Sequence, residues 1–307
     1  MNPPIPDETT RQSISGTIAG ASAFLIWGIS PLYWKTLTGV PALEIVAHRV
    51  VWSFIVLIPL VLFRNRLKDF ISVLGNWRSM SILIATSLFV SCNWLVYIWA
   101  INNGFLLQAS LGYYINPLVN VLLGTLFLRE RLRPRQILAV LFAGAGVLYL
   151  TLVYGRFPWI ACLLAVTFGL YGLLRKIMAV GSLVGLTVET FLMTAPALGY
   201  LIYLDMNGTA AFIDNSLQID LLLMGTSVVT ALPLLLFAMS ARRVRLTTLG
   251  FLQYIAPSCM FLMAVFIYLE SFRTEQLICF VLIWTALAVY SADSVITFRR
   301  SSVISGS

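Results

Sequence analysis

Apolar residues run almost unbroken for about 20 positions at a time along this chain, and short polar breaks separate the runs. Strands in a membrane would alternate polar and apolar positions, so continuous runs of this length predict helices instead. Ten spans are expected, at residues 16–37, 41–63, 79–101, 104–128, 135–153, 157–177, 184–204, 219–241, 246–269 and 274–296. Several breaks carry turn chemistry, such as Gly39-Val40-Pro41, Asn102-Asn103-Gly104 and Phe157-Pro158. The stretch 64–78 is different in kind. Its Arg64, Arg66, Lys68 and Arg78 accompany Leu67, Phe70, Ile71 and Leu74, a pattern for a short helix lying on the membrane surface. Residues 1–15 are polar and hold three prolines, which predicts a disordered tail, and residues 298–307 form a second tail.

Composition turns these runs into a class. The chain has 307 residues, 60% hydrophobic and 10% charged, and a mean hydropathy of +0.92. A soluble protein carries about 25% charged residues. The fold class is therefore all-α integral membrane. The net charge of +8 does not point to nucleic acid, because the basic residues sit between apolar runs and form no basic face. Cys92, Cys162, Cys259 and Cys279 lie within apolar runs without metal-ligand spacing, so they read as small hydrophobes. No metal and no cofactor are expected.

Charge bias sets the orientation. With the N-terminus in the cytoplasm, sixteen of the twenty Lys and Arg residues fall inside, while only Lys35, Arg156 and Arg273 fall outside and Arg49 lies within a span. The positive-inside rule thus places both termini in the cytoplasm. The chain also repeats itself. Leu111-Gly-Tyr-Tyr-Ile-Asn-Pro117 returns 140 positions later as Phe251-Leu-Gln-Tyr-Ile-Ala-Pro257, and Glu130 and Gln136 fall on Glu270 and Gln276. Near the first span the offset is 141, pairing Trp27–Lys35 with Phe168–Lys176. Five spans per copy is an odd number, so the second copy runs through the membrane upside down. Inverted repeats commonly enclose a substrate path at their junction.

Ionisable groups inside a span cost roughly 2.5–3.5 kcal/mol each on insertion scales, so each needs a reason. Glu44 and His48, the only histidine, are i, i+4 neighbours, with Arg49 beside them. This cluster reads as a carboxylate–imidazole pair able to carry a proton, with Arg49 available to an anion; a structural polar knot is the alternative. Asn93, Trp94 and Tyr97 fall in the third span, Tyr114 and Asn116 in the fourth, and Gln253 and Tyr254 in the ninth. With Trp27 they are the candidate substrate-binding groups. Pro117 and Pro257 are the expected helix kinks around them. Interhelical hydrogen bonding is the competing reading of the amides and phenols. Glu130, among four arginines, is expected to be a solvated ion-pair partner, and Asp293 to pair with nearby basic residues. One histidine and no phosphate-cradling loop leave little for an enzyme to work with.

These pieces together resemble a known family. Ile26-Trp-Gly-Ile-Ser-Pro31, Glu44-Ile-Val-Ala-His-Arg-Val-Val-Trp-Ser53, Asn93-Trp94, Ile98-Trp-Ala100, Asn102-Asn103, Ala109-Ser-Leu-Gly-Tyr113 and Asn116-Pro-Leu-Val-Asn120 match the RarD branch of the EamA-type drug/metabolite transporter superfamily. So do Tyr171-Gly-Leu173, Arg175-Lys176, Thr248-Leu-Gly-Phe251, Gln253-Tyr-Ile255 and Pro257. The resemblance covers residues 16–297. It implies two inverted five-helix EamA repeats, 16–153 and 157–297, in the bacterial plasma (inner) membrane. It also implies export or exchange of a small solute and a link to chloramphenicol sensitivity. Position 108, where the resemblance implies glutamate in some relatives, is Gln108 here. That leaves Glu44 and His48 as the titratable candidates for proton coupling.

The expected function is a non-enzymatic secondary transporter moving a small polar or amphipathic solute by alternating access. Its partners are the lipid bilayer, the solute and protons as candidate coupling ion, with no nucleic acid. Monomer and homodimer both stay open. The alternative is a non-transporting membrane sensor or assembly scaffold, which would call for a large module outside the membrane, whereas the longest connections here are about 15 residues.

Overall fold

Apolar, propensity-rich runs fold as expected into helices, and thirteen α-helices appear in the computed structural model, which describes residues 8–37, 39–102, 106–155, 158–213, 216–267 and 274–304. In chain order they are α1 (Glu8–Ile29), α2 (Pro31–Trp34), α3 (Ala42–Phe63), α4 (Leu67–Gly75), α5 (Trp77–Asn102), α6 (Leu106–Phe127), α7 (Pro134–Tyr154), α8 (Trp159–Ile177), α9 (Ser182–Met206), α10 (Leu217–Arg243), α11 (Leu246–Gln253), α12 (Ile255–Phe266) and α13 (Thr274–Ile304). A 3-10 turn, Lys35–Leu37, follows α2. No strand occurs among the described residues.

Local chemistry explains where the helices start and stop. Asn76 accepts from the Ser79 N–H at 2.9 Å and opens α5. Ser216 accepts from the Ile219 N–H at 3.3 Å and opens α10. Pro134 begins α7, where its missing N–H is no loss, and Gly155 ends it in the left-handed region at φ 71°. Pro31 lacks the N–H that would continue α1, so the helix is interrupted at Ser30 and resumes as the short α2. The ninth breaks at Tyr254, because Pro257 cannot donate back to Gln253. Pro117, by contrast, sits inside one continuous α6.

Both expected tails are partly helical. α1 begins at Glu8, past the three prolines and with an acid at the favourable end of the helix dipole. α13 continues to Ile304, because nothing in 297–304 breaks a helix. Among the described residues, seven helices are long and apolar enough to cross a membrane. The other three expected spans differ for identifiable reasons. The fourth begins at residues outside those described, the ninth is divided at Tyr254, and the tenth contributes the shorter apolar stretch Leu277–Asp293. Segment 64–78 forms the short helix α4, which buries Phe70 and Val73 against Val61, Leu83, Val180 and Val188.

Packing runs between the two halves of the chain. α1 lies against α10 and α5 against α8; α6 lies against α8, and α1 against α11 and α12; α3 lies against α10 and α5 against α9. Three further pairs, α3 with α9, α6 with α11 and α7 with α13, join equivalent helices directly. Exchanging the helices matched by the sequence repeat maps this set onto itself. Small residues permit the close crossings. A Cβ on Gly28 would lie 2.7 Å from Cβ of Cys259, and one on Gly169 would lie 2.7 Å from Cγ1 of Val119, which is the equivalent contact in the other half. Large apolar side chains such as Phe63, Trp77 and Phe127 point outward, as lipid contact requires.

Candidate functional site

The short helix after the Ser30 interruption has a consequence for Arg49. It carries Trp34 over the side chain of Arg49, which lies within the first turns of α3. The Arg49 guanidinium carbon lies 4.8 Å from the Trp34 ring centre and 4.6 Å from that of Trp94 on α5. Two indole faces therefore flank one cation, an arrangement that attracts it electrostatically. Nε of Arg49 donates to Oγ1 of Thr230 on α10 at 2.8 Å. The phenols of Tyr97 on α5 and Tyr113 on α6 are in electrostatic contact with the same guanidinium. Their rings lie 5.7 Å apart and edge-on.

Groups from α2, α3, α5, α6 and α10 thus converge on a single guanidinium, which places it inside the bundle rather than on its outer surface. Arg49, Trp34, Trp94, Tyr97 and Tyr113 are all partly exposed, so the cluster is not sealed. No carboxylate of the described residues forms an ion pair with Arg49. Of the sequence candidates, this cluster unites Arg49, Trp94 and Tyr97. Trp34, Tyr113 and Thr230 were not among them. The Ser30-Pro31 break was the available signal for Trp34; Thr230 gave none.

Glu44 and His48 point elsewhere. Glu44 is fully buried, and its Oε1 accepts the Ala211 N–H at 2.6 Å. His48 Nδ1 accepts from the Trp52 indole at 3.2 Å, its ring is 5.0 Å from that of Phe212, and its Nε2 is 4.0 Å from Glu44 Oε1. Both residues therefore engage the loop between α9 and α10. Asp220 holds the same loop by accepting the Ile213 N–H at 2.8 Å. Glu44 Oε2 and His48 Nε2 are buried with no hydrogen-bond partner.

The remaining candidates pack between helices. Asn93 donates to the Leu164 carbonyl at 2.8 Å and to Thr167 at 3.0 Å, joining α5 to α8. Gln253 accepts from Asn120 at 2.5 Å across α6 and α11. Tyr254 is buried, and its hydroxyl donates to the Tyr114 carbonyl at 3.3 Å. The Tyr114 ring packs edge-on against Phe280, 5.3 Å away. Asn116 is buried with its Oδ1 unpartnered. Trp27 joins Phe24, Phe168 and Phe237 in an aromatic cluster with centroids 5.5 to 5.9 Å from its own. The side chain of Gln108 and the whole of Glu270 lie outside the described residues.

The arginine-rich end of the bundle is cross-linked by charge. Glu130 pairs with an arginine, Arg245 at 3.6 Å, but its side chain is buried rather than solvated as the sequence suggested, and it grips the start of α11. Its carboxylate accepts the N–H groups of Leu246 at 2.7 Å and Thr247 at 3.0 Å, and the Thr247 hydroxyl at 2.6 Å. Free N–H groups at a helix start attract a carboxylate, and here they act on it together with Arg245. Lys176 donates to the Ala241 and Val244 carbonyls at the end of α10. Arg133 pairs with Asp293 at 3.2 Å. Deeper, Arg175 and Glu189 form a fully buried ion pair at 3.6 Å, with Thr86 donating to Glu189 at 2.6 Å and Tyr171 at 3.4 Å. The described residues contain no cluster of three or more metal-ligating side chains.

Comparison with known proteins bears on what this arrangement serves. The EamA-like transporter family profile matches residues 14–152. A Vibrio cholerae protein described as an uncharacterized transporter is 47% identical over 288 residues, covering 94% of this chain and 95% of its own. Protein RarD of Escherichia coli is 41% identical over 292 residues, covering 95% and 99%. A crystal structure at 22% identity superposes with a TM-score of 0.69 over 91% of this chain and 97% of its own, a likeness of fold.

Proposed function

Since the chain belongs to the EamA-like transporter family, in its RarD branch, and is a multi-pass membrane transporter, we propose that it is a secondary transporter moving a small polar or amphipathic solute by alternating access. Ten spans form two inverted five-helix repeats, 16–153 and 157–297, with both termini cytoplasmic, in the bacterial inner membrane. The packing that maps onto itself when equivalent helices are exchanged supports the inverted repeat. The observation that carries a solute site is the partly exposed cluster inside the bundle, with Arg49 flanked by Trp34 and Trp94 and without a counter-ion among the described residues. Uncompensated charge at such depth is expensive, and function is the usual reason for keeping it.

The test is flux. Protein reconstituted in liposomes should move at least one member of a metabolite and drug panel that includes chloramphenicol, and empty liposomes should not. A reconstituted, folded protein that moves none of them down any gradient sinks the reading. Proton coupling is assigned to Glu44, whose surroundings are His48, the charge of Asp220 on that histidine and the phenol of Tyr200. Glu44→Gln should flatten the pH dependence of flux; an unchanged profile removes Glu44 from the coupling.

A further inference from the structure

The Arg49 cluster has a counterpart at the arginine-rich end. With the 140-residue offset, Val40 and Leu43 fall on Val180 and Leu183, and Arg49 falls on Glu189. With the 141-residue offset of the first span, Trp34 falls on Arg175. The two positions that meet as an indole and a guanidinium in the first half meet as a guanidinium and a carboxylate in the second. Both places gather the same accessory groups, a threonine hydroxyl and a phenol: Thr230 with Tyr97 and Tyr113 around Arg49, Thr86 with Tyr171 around Glu189. One ingredient differs. At the arginine-rich end the protein supplies a carboxylate to its cation, and around Arg49 it supplies none among the described residues.

The unfilled directions can be named. Trp34 and Trp94 lie against the guanidinium, and Thr230 takes Nε, which leaves the terminal Nη edge. That edge is the fork that binds a planar carboxylate in two parallel hydrogen bonds. Beside it the edge-on Tyr97–Tyr113 pair carries two phenolic hydroxyls, groups able to donate to an outside acceptor. Around this edge the walls are aromatic, suited to an apolar or aromatic body attached to the acid.

We propose that Arg49 is the recognition residue for the carboxylate of a small organic acid with a planar apolar body, held by the Nη edge and the Tyr97–Tyr113 pair between the indoles. The assignment rests on the transporter reading for its purpose, but its binding can be measured separately. The probe is radiolabelled benzoate, bound to the full chain in lipid nanodiscs, with benzamide and benzylamine as matched neutral and cationic competitors. Wild type should bind benzoate saturably, and neither competitor should displace it. Arg49→Gln should weaken binding roughly 10- to 100-fold, the loss expected for charged hydrogen bonds. Arg49→Lys, which keeps the charge but loses the fork, should fall between, and it serves as the folded control if the glutamine variant is unstable. Absence of saturable benzoate binding, equal displacement by benzamide, or unchanged affinity in folded Arg49 variants overturns the proposal. Arg49-dependent binding without flux of any solute would support this site and sink the transport reading; flux insensitive to Arg49→Gln would do the reverse.

Discussion

The buried Arg175–Glu189 pair offers the sharpest test of the packing. Arg175 is 0% exposed and Glu189 1%. Glu189→Ala removes the carboxylate paired with Arg175 and leaves the guanidinium, among the described residues, with its hydrogen bond to the Ser182 carbonyl at 3.1 Å. It also strips the acceptor from Tyr171 and leaves Thr86 with the Leu83 carbonyl alone. Stranding a buried charge in this way costs about 3–5 kcal/mol. At roughly 2 °C per kcal/mol for a chain of this size, the melting temperature of purified protein should fall by about 6–10 °C. Replacing both partners, Arg175→Met with Glu189→Leu, removes the stranded charge together with its partner. The double variant should therefore regain most of the loss, because a buried ion pair and an apolar pair of similar volume are close in net stability. The assay is tryptophan fluorescence against temperature for wild type, both singles and the double. A Glu189→Ala drop corresponding to less than about 1 kcal/mol, or a double variant no more stable than Glu189→Ala, would refute the reasoning.

Three other perturbations follow from named contacts. Glu130→Ala deprives two N–H groups and one hydroxyl at the start of α11 of their acceptor; a loss of about 1–2 kcal/mol is expected, with faster amide exchange at Leu246 and Thr247 as its local signature. Gly250→Ala places a Cβ 2.7 Å from the Pro117 carbonyl oxygen, a backbone atom that cannot turn aside, so α6 and α11 must separate at a cost of about 1–3 kcal/mol, and a neutral melt would deny the close crossing. Phe237→Ala empties the centre of the ring cluster formed with Phe24, Trp27, Phe168 and Tyr171 and should lose about 3–5 kcal/mol by thermal unfolding.

Much of the fold was legible because membrane helices obey two simple rules, apolar length and internal hydrogen bonding. The turn signal Gly39-Val40-Pro41 marked a helix start that the structure keeps, α3 beginning at Ala42. The tails were less legible, since polarity separates membrane from water but says little about whether a helix continues beyond the bilayer. Proline was ambiguous for a different reason. Pro117 and Pro257 occupy equivalent positions in the repeat, yet α6 is continuous while the other helix breaks at Tyr254. The local rule is the same in both places, and the surrounding packing decides how each helix accommodates it.

The candidate site was harder because a polar side chain in a helix does not announce whether its partner is protein or solute. Asn93 and Gln253 read as cavity amides, and each has found a protein partner on a helix remote in sequence. Those pairings depend on crossing angles and on a few tenths of an ångström, which no local pattern encodes. Arg49 differs in kind. A guanidinium has five donors, and Thr230 takes one of them. A cation at this depth demands an opposite charge more strongly than an amide demands any one hydrogen bond. Counting unmet electrostatic need, rather than counting polar residues, is therefore the better guide to a binding group in an apolar bundle. It is the repeat that makes the count informative: it supplies an internal control in which the equivalent helix, through Glu189, meets that need from within the protein.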